Sequence, residues 1–199
     1  TLAKKAGLEL GLKGAIAVND KMETSVSDIY AVGDAVQIKH IVTGNDAVIA
    51  LAGPANKQGR IAADNICGLD SHYKGSLGSS VIKLFDMTAA STGLTEKAAN
   101  ISGIPYDKIV LSPASHAGYY PGAKTMTMKV VYEKETLKLL GAQIVGYDGV
   151  DKRIDVLATA ISTGMKANEL KDLDLAYAPP YSSAKDPVNM AGFMIENIA

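Results

Sequence analysis

The stretch that decides the fold reads TSVSDIYAVGDA, from Thr24 to Ala35. Its four apolar residues, 29–32, are bounded by turn formers, which predicts a buried strand, parallel to its neighbours and covered on both faces. The strand would end at Gly33-Asp34, which places a carboxylate at the edge where open α/β sheets bind ligands. Glycine permits close approach of a ligand, and Asp34 can accept hydrogen bonds from sugar hydroxyls. The alternative is that Asp34 caps a turn or a helix.

A second stretch, LAGPANKQGR, follows at residues 51–60. Proline is tolerated in a first helical turn, so we predict a helix over residues 54–67, with Gly68 as its C-terminal stop. The unpaired N–H groups and the positive end of such a helix stabilise negative charge. The alternative is an ordinary helix that begins at a proline and binds nothing.

These two stretches, in this order, resemble the flavoprotein disulfide reductases. The first is similar to their second FAD-binding motif, in which the aspartate holds the ribityl chain of the flavin and nearby backbone N–H groups face the pyrophosphate. The second resembles the segment in which a helix N-terminus faces the isoalloxazine. The resemblance implies FAD as cofactor and NAD(P)H as co-substrate. The cofactor-binding residues that it implies are Gly33, Asp34, Ala35, Ala52, Pro54 and Ala55.

The composition changes between residues 70 and 80, where Gly and Ser replace apolar residues. We therefore predict two domains, an α/β part of an FAD-binding domain over residues 1–75 and an α+β dimerisation domain over residues 76–199. Alternating and apolar runs in the second domain predict an antiparallel sheet with helices. The predicted strands are 81–85, 88–92, 109–112, 125–133 and 137–145, and the predicted helices are 96–101 with Thr95 as N-cap, 151–163, and 187–198 with Asp186 as N-cap.

Segments 83–87, 90–94 and 151–156 resemble the dimerisation domain shared by NADH oxidases, NADH peroxidases and coenzyme A-disulfide reductases. This resemblance implies a homodimer. Loops 116–122 and 176–182 are similar to two loops of the coenzyme A-disulfide reductases, in which a tyrosine from each loop reaches the substrate sulfur across the dimer interface. The matching residues are Tyr119 and Tyr177, with Tyr120 and Tyr181 as close alternatives. A phenol can stabilise a thiolate or persulfide, although such tyrosines often only pack an interface.

The resemblance implies an FAD-dependent NAD(P)H oxidoreductase that reduces coenzyme A disulfide or persulfide, a small-molecule thiol or disulfide substrate. An NADH oxidase or peroxidase is the second possibility, and a non-catalytic dimerisation module is the third. The sequence shows no G-x-G-x-x-G after an opening strand, the motif that would bind the ADP half of FAD. We therefore expect a C-terminal portion of the enzyme that is inactive by itself.

The remaining features argue against other classes of function. The net charge is −1 with no basic stripe, so we expect no nucleic-acid partner. No apolar run approaches the roughly 18 residues of a membrane span. The single cysteine, Cys67, is interpreted as structural and fits a cytoplasmic protein. His40, His72 and His116 lack metal-ligand spacing, and His116 is interpreted as structural, with proton transfer as its alternative.

Overall fold

The computed structural model describes residues 2–198, which divide into two compact units, the first ending at Gly78 and the second beginning at Ser79. Within residues 2–198, no helix combines the length and the apolar character needed to cross a membrane.

The first unit contains a small three-stranded sheet and one long helix. Its elements are α1 (Leu2–Lys5), β1 (Ile16–Ala17), β2 (Val36–Lys39), β3 (Asp46–Ala47) and α2 (Ala52–Ile66). Strand β2 is central, parallel to β1 and antiparallel to β3. Short 3-10 turns at Leu12–Gly14 and Gly33–Ala35 precede β1 and β2. The unit is therefore built around β2, which begins directly after the turn that contains Gly33 and Asp34.

The prediction of a buried parallel strand over residues 29–32 is wrong. This segment makes a single antiparallel bridge, between Tyr30 and Glu23, and Ile29 and Val32 are both more than a third exposed. Its backbone instead bonds to the preceding turn: the Ala31 N–H donates to the Met22 carbonyl, and the Ile29 carbonyl accepts from the Thr24 N–H. Because these groups are already paired in a local turn, they cannot also join a parallel ladder.

The helix after the second motif is confirmed and begins slightly earlier than predicted. Helix α2 runs over Ala52–Ile66, so Pro54 lies in its first turn, where a missing N–H costs nothing. Gly68 follows with φ +82° and donates its N–H to the Asn65 carbonyl, as expected of a left-handed stop. Gln58 and Ala62, one turn apart, are the buried residues of this helix.

The second unit is an antiparallel five-stranded sheet with helices, as predicted. Its strands are β4 (Ser80–Leu84), β5 (Met87–Gly93), β6 (Tyr106–Leu111), β7 (Thr127–Glu133) and β8 (Leu139–Gly146), in the order β4-β5-β8-β7-β6. Its helices are α3 (Glu96–Ile101), α4 (Val150–Ser162) and α5 (Pro187–Glu196), with a 3-10 helix at Ala167–Asp172. Strands β7 and β8 carry many of the buried apolar residues, α4 packs on β5 and β8, and α5 packs on the 3-10 helix.

Both predicted helix caps in this unit are confirmed. The Thr95 hydroxyl accepts the Ala98 N–H at 3.2 Å, and the Asp186 carboxylate accepts the Val188 N–H at 2.9 Å. The inward face of α4 carries Ile154, Leu157 and Ile161, as its periodicity predicted, but it also carries a buried arginine, Arg153. A charged residue on an apolar face requires partners, and these lie at the bases of two loops described below.

Candidate active site

The turn at Gly33–Ala35 is held in place by a buried side chain of α2. Gly33 has φ +78°, a left-handed conformation that favours glycine. Its N–H donates to the Gln58 Oε1 at 2.7 Å, and Gln58 is only 1% exposed. The Gly33 N–H is thus already engaged within the chain, and Gln58 fixes the backbone that presents Asp34.

The start of α2 lies beside this turn. A Cβ atom at Gly33 would stand 3.8 Å from the Cβ of Ala55. The N-cap residue, Leu51, has no side chain that can bond to the first free N–H groups of the helix. The structure therefore brings the two predicted groups of cofactor residues, 33–35 and 52–55, to one place, with small side chains between them.

Asp34 is exposed next to that helix start. Among residues 2–198, its carboxylate accepts no hydrogen bond, and the Gly33–Ala35 turn has no side-chain cap. The alternative in which Asp34 serves as a cap therefore finds no support in the described part of the chain. An exposed carboxylate and a positive helix end are complementary to hydroxyls and to developing negative charge, respectively.

The two tyrosines predicted in the second unit meet each other. The Tyr119 and Tyr177 hydroxyls are 2.9 Å apart, although 58 residues separate them in the chain. The side chains are exposed, Tyr119 at 77% and Tyr177 at 47%. The hydrogen bond to Tyr119, followed by partial desolvation, raises the pKa of Tyr177 above its ordinary value. The Tyr177 hydroxyl can both donate and accept a hydrogen bond.

The two neighbouring tyrosines are placed differently. The Tyr120 ring packs edge-on against the His116 ring at 5.8 Å between centroids, and Tyr181 is 70% exposed, with its carbonyl accepting from Lys152 Nζ at 3.1 Å. His116 is buried, and its ring nitrogens lie 3.0 Å from the Ser115 Oγ and 3.3 Å from the Pro121 carbonyl. Both nitrogens are therefore engaged within the loop, which supports the structural interpretation of this histidine.

A buried ion pair lies beneath the tyrosine loops, and the sequence analysis did not identify it. Arg153 and Asp186 are 1% and 3% exposed, and the arginine Nη2 is 2.9 Å from the aspartate Oδ2. Nη2 also donates to the Ser115 carbonyl at 3.0 Å and to the Ser182 Oγ at 3.3 Å. The signal available in the sequence was an arginine at an inward position of the amphipathic α4 pattern.

The other candidate residues are not part of either site. Cys67 is exposed at the C-cap of α2, so it is not a packing residue. His72 lies between Asp20 and Asp70, with ring nitrogens 2.8 and 3.1 Å from their carboxylates. His40 accepts the Val42 N–H, and burial lowers its pKa. Over residues 2–198, no group of His, Cys, Asp or Glu is arranged to hold a metal ion.

Comparison with protein families gives two matches along the chain. Residues 79–187 match the family described as pyridine nucleotide-disulphide oxidoreductase, dimerisation domain. Residues 1–59 match the family described as pyridine nucleotide-disulphide oxidoreductase. The first match covers more than half of the chain and contains both the Tyr119 and the Tyr177 loops. The second contains the Gly33–Ala35 turn and the start of α2.

Individual proteins give the same picture. The chain is 39% identical over 187 residues to the NAD(P)H coenzyme A polysulfide/persulfide reductase of Pyrococcus horikoshii, covering 94% of this chain and 42% of that protein. It is 39% identical over 191 residues to the coenzyme A disulfide reductase of Staphylococcus aureus, covering 96% and 43%. The crystal structure of reduced Bacillus anthracis CoADR-RHD superposes with a TM-score of 0.96 at 54% identity, covering 100% and 36%. The chain thus spans less than half the length of these relatives.

Proposed function

Because the chain belongs to the pyridine nucleotide-disulphide oxidoreductase family, we propose that it serves in an FAD-dependent NAD(P)H oxidoreductase that reduces coenzyme A disulfide or persulfide. The observation that carries this proposal is the 2.9 Å approach of the Tyr119 and Tyr177 hydroxyls on two exposed loops. The names of the Pyrococcus horikoshii and Staphylococcus aureus relatives, a coenzyme A polysulfide/persulfide reductase and a coenzyme A disulfide reductase, support the substrate class.

The tyrosine pair has the chemistry that sulfur reduction needs. Two phenols carry two hydroxyl hydrogens, and one of them is used between the oxygens, so the other is free to point to a third atom. When a disulfide or persulfide bond is cleaved, negative charge develops on the departing sulfur, and an aligned hydroxyl donor stabilises it. A phenol has an ordinary pKa of about 10, so this donor is protonated across the neutral range.

The first unit fits a flavin. The chemistry that bound FAD would supply is the transfer of electrons from the nicotinamide to sulfur. In our proposal the Asp34 carboxylate accepts from the ribityl hydroxyls, and the backbone at Ala35 lies on the pyrophosphate side. The helix start at Ala52, Pro54 and Ala55 would hold the isoalloxazine, and its positive end would stabilise negative charge on the reduced flavin. Gly33 contributes its left-handed conformation, since its N–H is bonded to Gln58.

A second copy of the chain is the proposed partner. The family description of residues 79–187 as a dimerisation domain supports this. The second unit also leaves large apolar side chains in water, including Val81 at 58%, Ile82 at 55% and Phe193 at 40% exposure. An interface between copies would also bury the two tyrosine loops and exclude water from their hydroxyls.

The test of the substrate assignment is Tyr177→Phe in the complete enzyme. Removal of one hydrogen-bond donor to a developing anion should lower kcat for coenzyme A disulfide by roughly 10²–10³-fold, while NADH oxidase activity is retained. The matched control is Tyr181→Phe, which changes an exposed phenol in the same loop outside the pair and should leave both rates as in the parent. An equal loss of both activities in Tyr177→Phe would contradict the substrate assignment.

A second experiment separates the enzyme from a non-catalytic dimerisation module. We would measure light scattering and flavin absorbance of the 199-residue chain on a size-exclusion column. The 199-residue chain should elute as a colourless dimer, because it has no G-x-G-x-x-G motif to bind the ADP half of FAD. A monomer would contradict the assigned partner. In the complete protein, flavin absorbance in the protein peak supports the enzyme, and its absence would favour the non-catalytic dimerisation module.

A further inference from the structure

The arginine beneath the tyrosine loops is buried in a manner that requires an explanation. Arg153 lies on the inward face of α4 and is 1% exposed. An unpaired guanidinium in such a place would be strongly unfavourable, and even a paired one often stabilises a fold less than apolar residues of similar volume. Stability alone is therefore a weak reason for an arginine at this position, and its partners indicate another role.

The first partner is Asp186, the N-cap of α5. Arg153 Nε lies 3.1 and 3.2 Å from the two carboxylate oxygens, and Ser182 Oγ donates to Oδ2 at 2.6 Å. Burial by itself would raise the pKa of Asp186. The hydrogen bonds from Arg153 and Ser182 outweigh burial and hold that pKa below its usual range. The pair therefore stays ionised, and its geometry is fixed from several directions.

The same guanidinium reaches the bases of both tyrosine loops. Its Nη2 donates to the Ser115 carbonyl, four residues before Tyr119, and to the Ser182 Oγ, five residues after Tyr177. Next to it, the Ala117 N–H lies 3.0 Å from the Ser182 carbonyl and 3.3 Å from the Pro179 carbonyl. The two loops are thus tied together at their bases by buried polar contacts.

The tips of the loops have no comparable support. Tyr119 is 77% exposed and Tyr177 is 47% exposed, so neither side chain belongs to the buried core that could hold the two hydroxyls together. The distance between them must be set where the loops leave the core. We propose that the buried Arg153–Asp186 pair is a positioning element that sets the distance between the Tyr119 and Tyr177 hydroxyls. Its consequence for sulfur reduction rests on the function proposed above.

The test uses the 199-residue chain with tyrosines labelled at ¹³Cζ, and it follows the titration of the Tyr177 phenol by NMR. The Tyr177→Phe spectrum assigns the signal. Arg153→Lys keeps the charge but cannot reach Asp186, Ser115 and Ser182 together, so the pKa of Tyr177 should fall toward its ordinary value. The matched control is Ile161→Val, a buried change two turns further along α4, which should lower stability and leave that pKa unchanged.

Ser182→Ala keeps the proposal testable if Arg153→Lys does not fold. It removes one hydroxyl, leaves the ion pair, and should move the Tyr177 pKa in the same direction by a smaller amount. The proposal is overturned if Tyr177 titrates as in the parent in either folded variant. It is also overturned if Ile161→Val moves the pKa equally, because the effect would then follow stability rather than loop position.

Kinetics of the complete enzyme separate this proposal from the proposed function. A displaced tyrosine should lower kcat for coenzyme A disulfide by roughly 10²-fold in Arg153→Lys, with a much smaller change in KM and with oxidase activity retained. If the Tyr177 pKa falls but disulfide reduction is unchanged, the positioning role is supported and the substrate role of the tyrosines fails. An unchanged pKa overturns the positioning role whatever the rates.

Discussion

The turn that presents Asp34 should depend on one buried amide, and Gln58→Met tests this. Methionine has nearly the volume of glutamine, so packing on the inward face of α2 is largely kept. The substitution removes the oxygen that accepts the Gly33 N–H at 2.7 Å. It therefore isolates the contribution of a single hydrogen bond to the position of the Gly33–Ala35 turn.

The size of the effect follows from the burial of the two groups. A buried donor that loses its partner costs about 1–3 kcal/mol. Gln58 is buried but Gly33 is half-buried, so water can reach the freed N–H in part, and we take the lower portion, about 1–2 kcal/mol. A difference of that size changes the ratio of closed to open turn by a factor of roughly 5–30.

Amide hydrogen exchange measures this ratio directly. In Gln58→Met the Gly33 amide should exchange roughly 5–30-fold faster than in the parent, while amides in the centre of α2 keep their protection. Asn56→Ala is the matched control, because it changes an exposed side chain on the same helix and should leave Gly33 unaffected. An exchange rate for Gly33 that is the same in Gln58→Met and in Asn56→Ala would refute the reasoning.

Three further changes test other parts of the structure. Leu157 is fully buried on α4, so Leu157→Ala should lower the free energy of unfolding of the second unit, measured in urea, by about 2–5 kcal/mol. A loss below about 1 kcal/mol, closer to that of a surface substitution, would contradict the place of Leu157 in the core. Gly141→Ala would push a methyl group into the backbone carbonyl of Leu94, so the purified variant should lose the cooperative unfolding transition of the second unit. The hydrogen bond to Asp20 raises the pKa of His72, so its contribution to stability is fully present below about pH 6.5 and is lost as pH rises through the folded-state pKa. The stability difference between the parent and His72→Asn should therefore shrink from pH 5.5 to pH 8 (a range of about two units around the ordinary histidine value), and a difference that grows with pH would show the opposite linkage.

The sequence was most informative where its signals are local. The caps at Thr95 and Asp186 were predicted because an N-cap needs only a suitable side chain and the next few N–H groups. The hairpin of β7 and β8 was predicted because alternation of polar and apolar residues has the period of a strand. These signals do not depend on which distant segment the element later meets, so they hold in the folded chain.

Residues 29–32 show where such signals fail. An apolar run of four residues is compatible with a buried strand, but it does not specify a partner. In the folded chain the backbone of residues 29–32 is hydrogen-bonded to the turn at Met22–Thr24. The strand that pairs in parallel with β1 is β2, which begins a few residues later. The competition between a local turn and a ladder is decided by tertiary geometry, which the run itself does not encode.

In the candidate sites, too, the sequence indicated some of the residues but not their partners or distances. Tyr119 and Tyr177 were identified through the resemblance of their loops to a family, and their distance of 2.9 Å could not be predicted, because it joins segments 58 residues apart. Gln58 and Arg153 were missed, although each is a polar residue at an inward helical position. Gly33, the partner of Gln58, and Asp186, the partner of Arg153, lie 25 or more residues away in the chain. The helical pattern therefore indicates that each side chain is buried, but it does not indicate which group the side chain bonds to.

The two units arrive at the same arrangement independently: a buried polar side chain on a helix fixes the backbone that carries an exposed functional group. Gln58 holds the turn of Asp34, and Arg153 holds the loops of the tyrosines. Variants at the exposed group and variants at the buried group should therefore differ in their effect on folding. A change at the exposed group, such as Tyr177→Phe, should lower the rate of disulfide reduction and leave the unfolding transition unmoved, because the side chain lies outside the core. A change at the buried group should reduce both, and a double-mutant cycle between Arg153 and Tyr177 should show strong coupling in kcat with little in stability. Additive kinetic effects would mean that the arginine supports the fold without setting the position of the phenol.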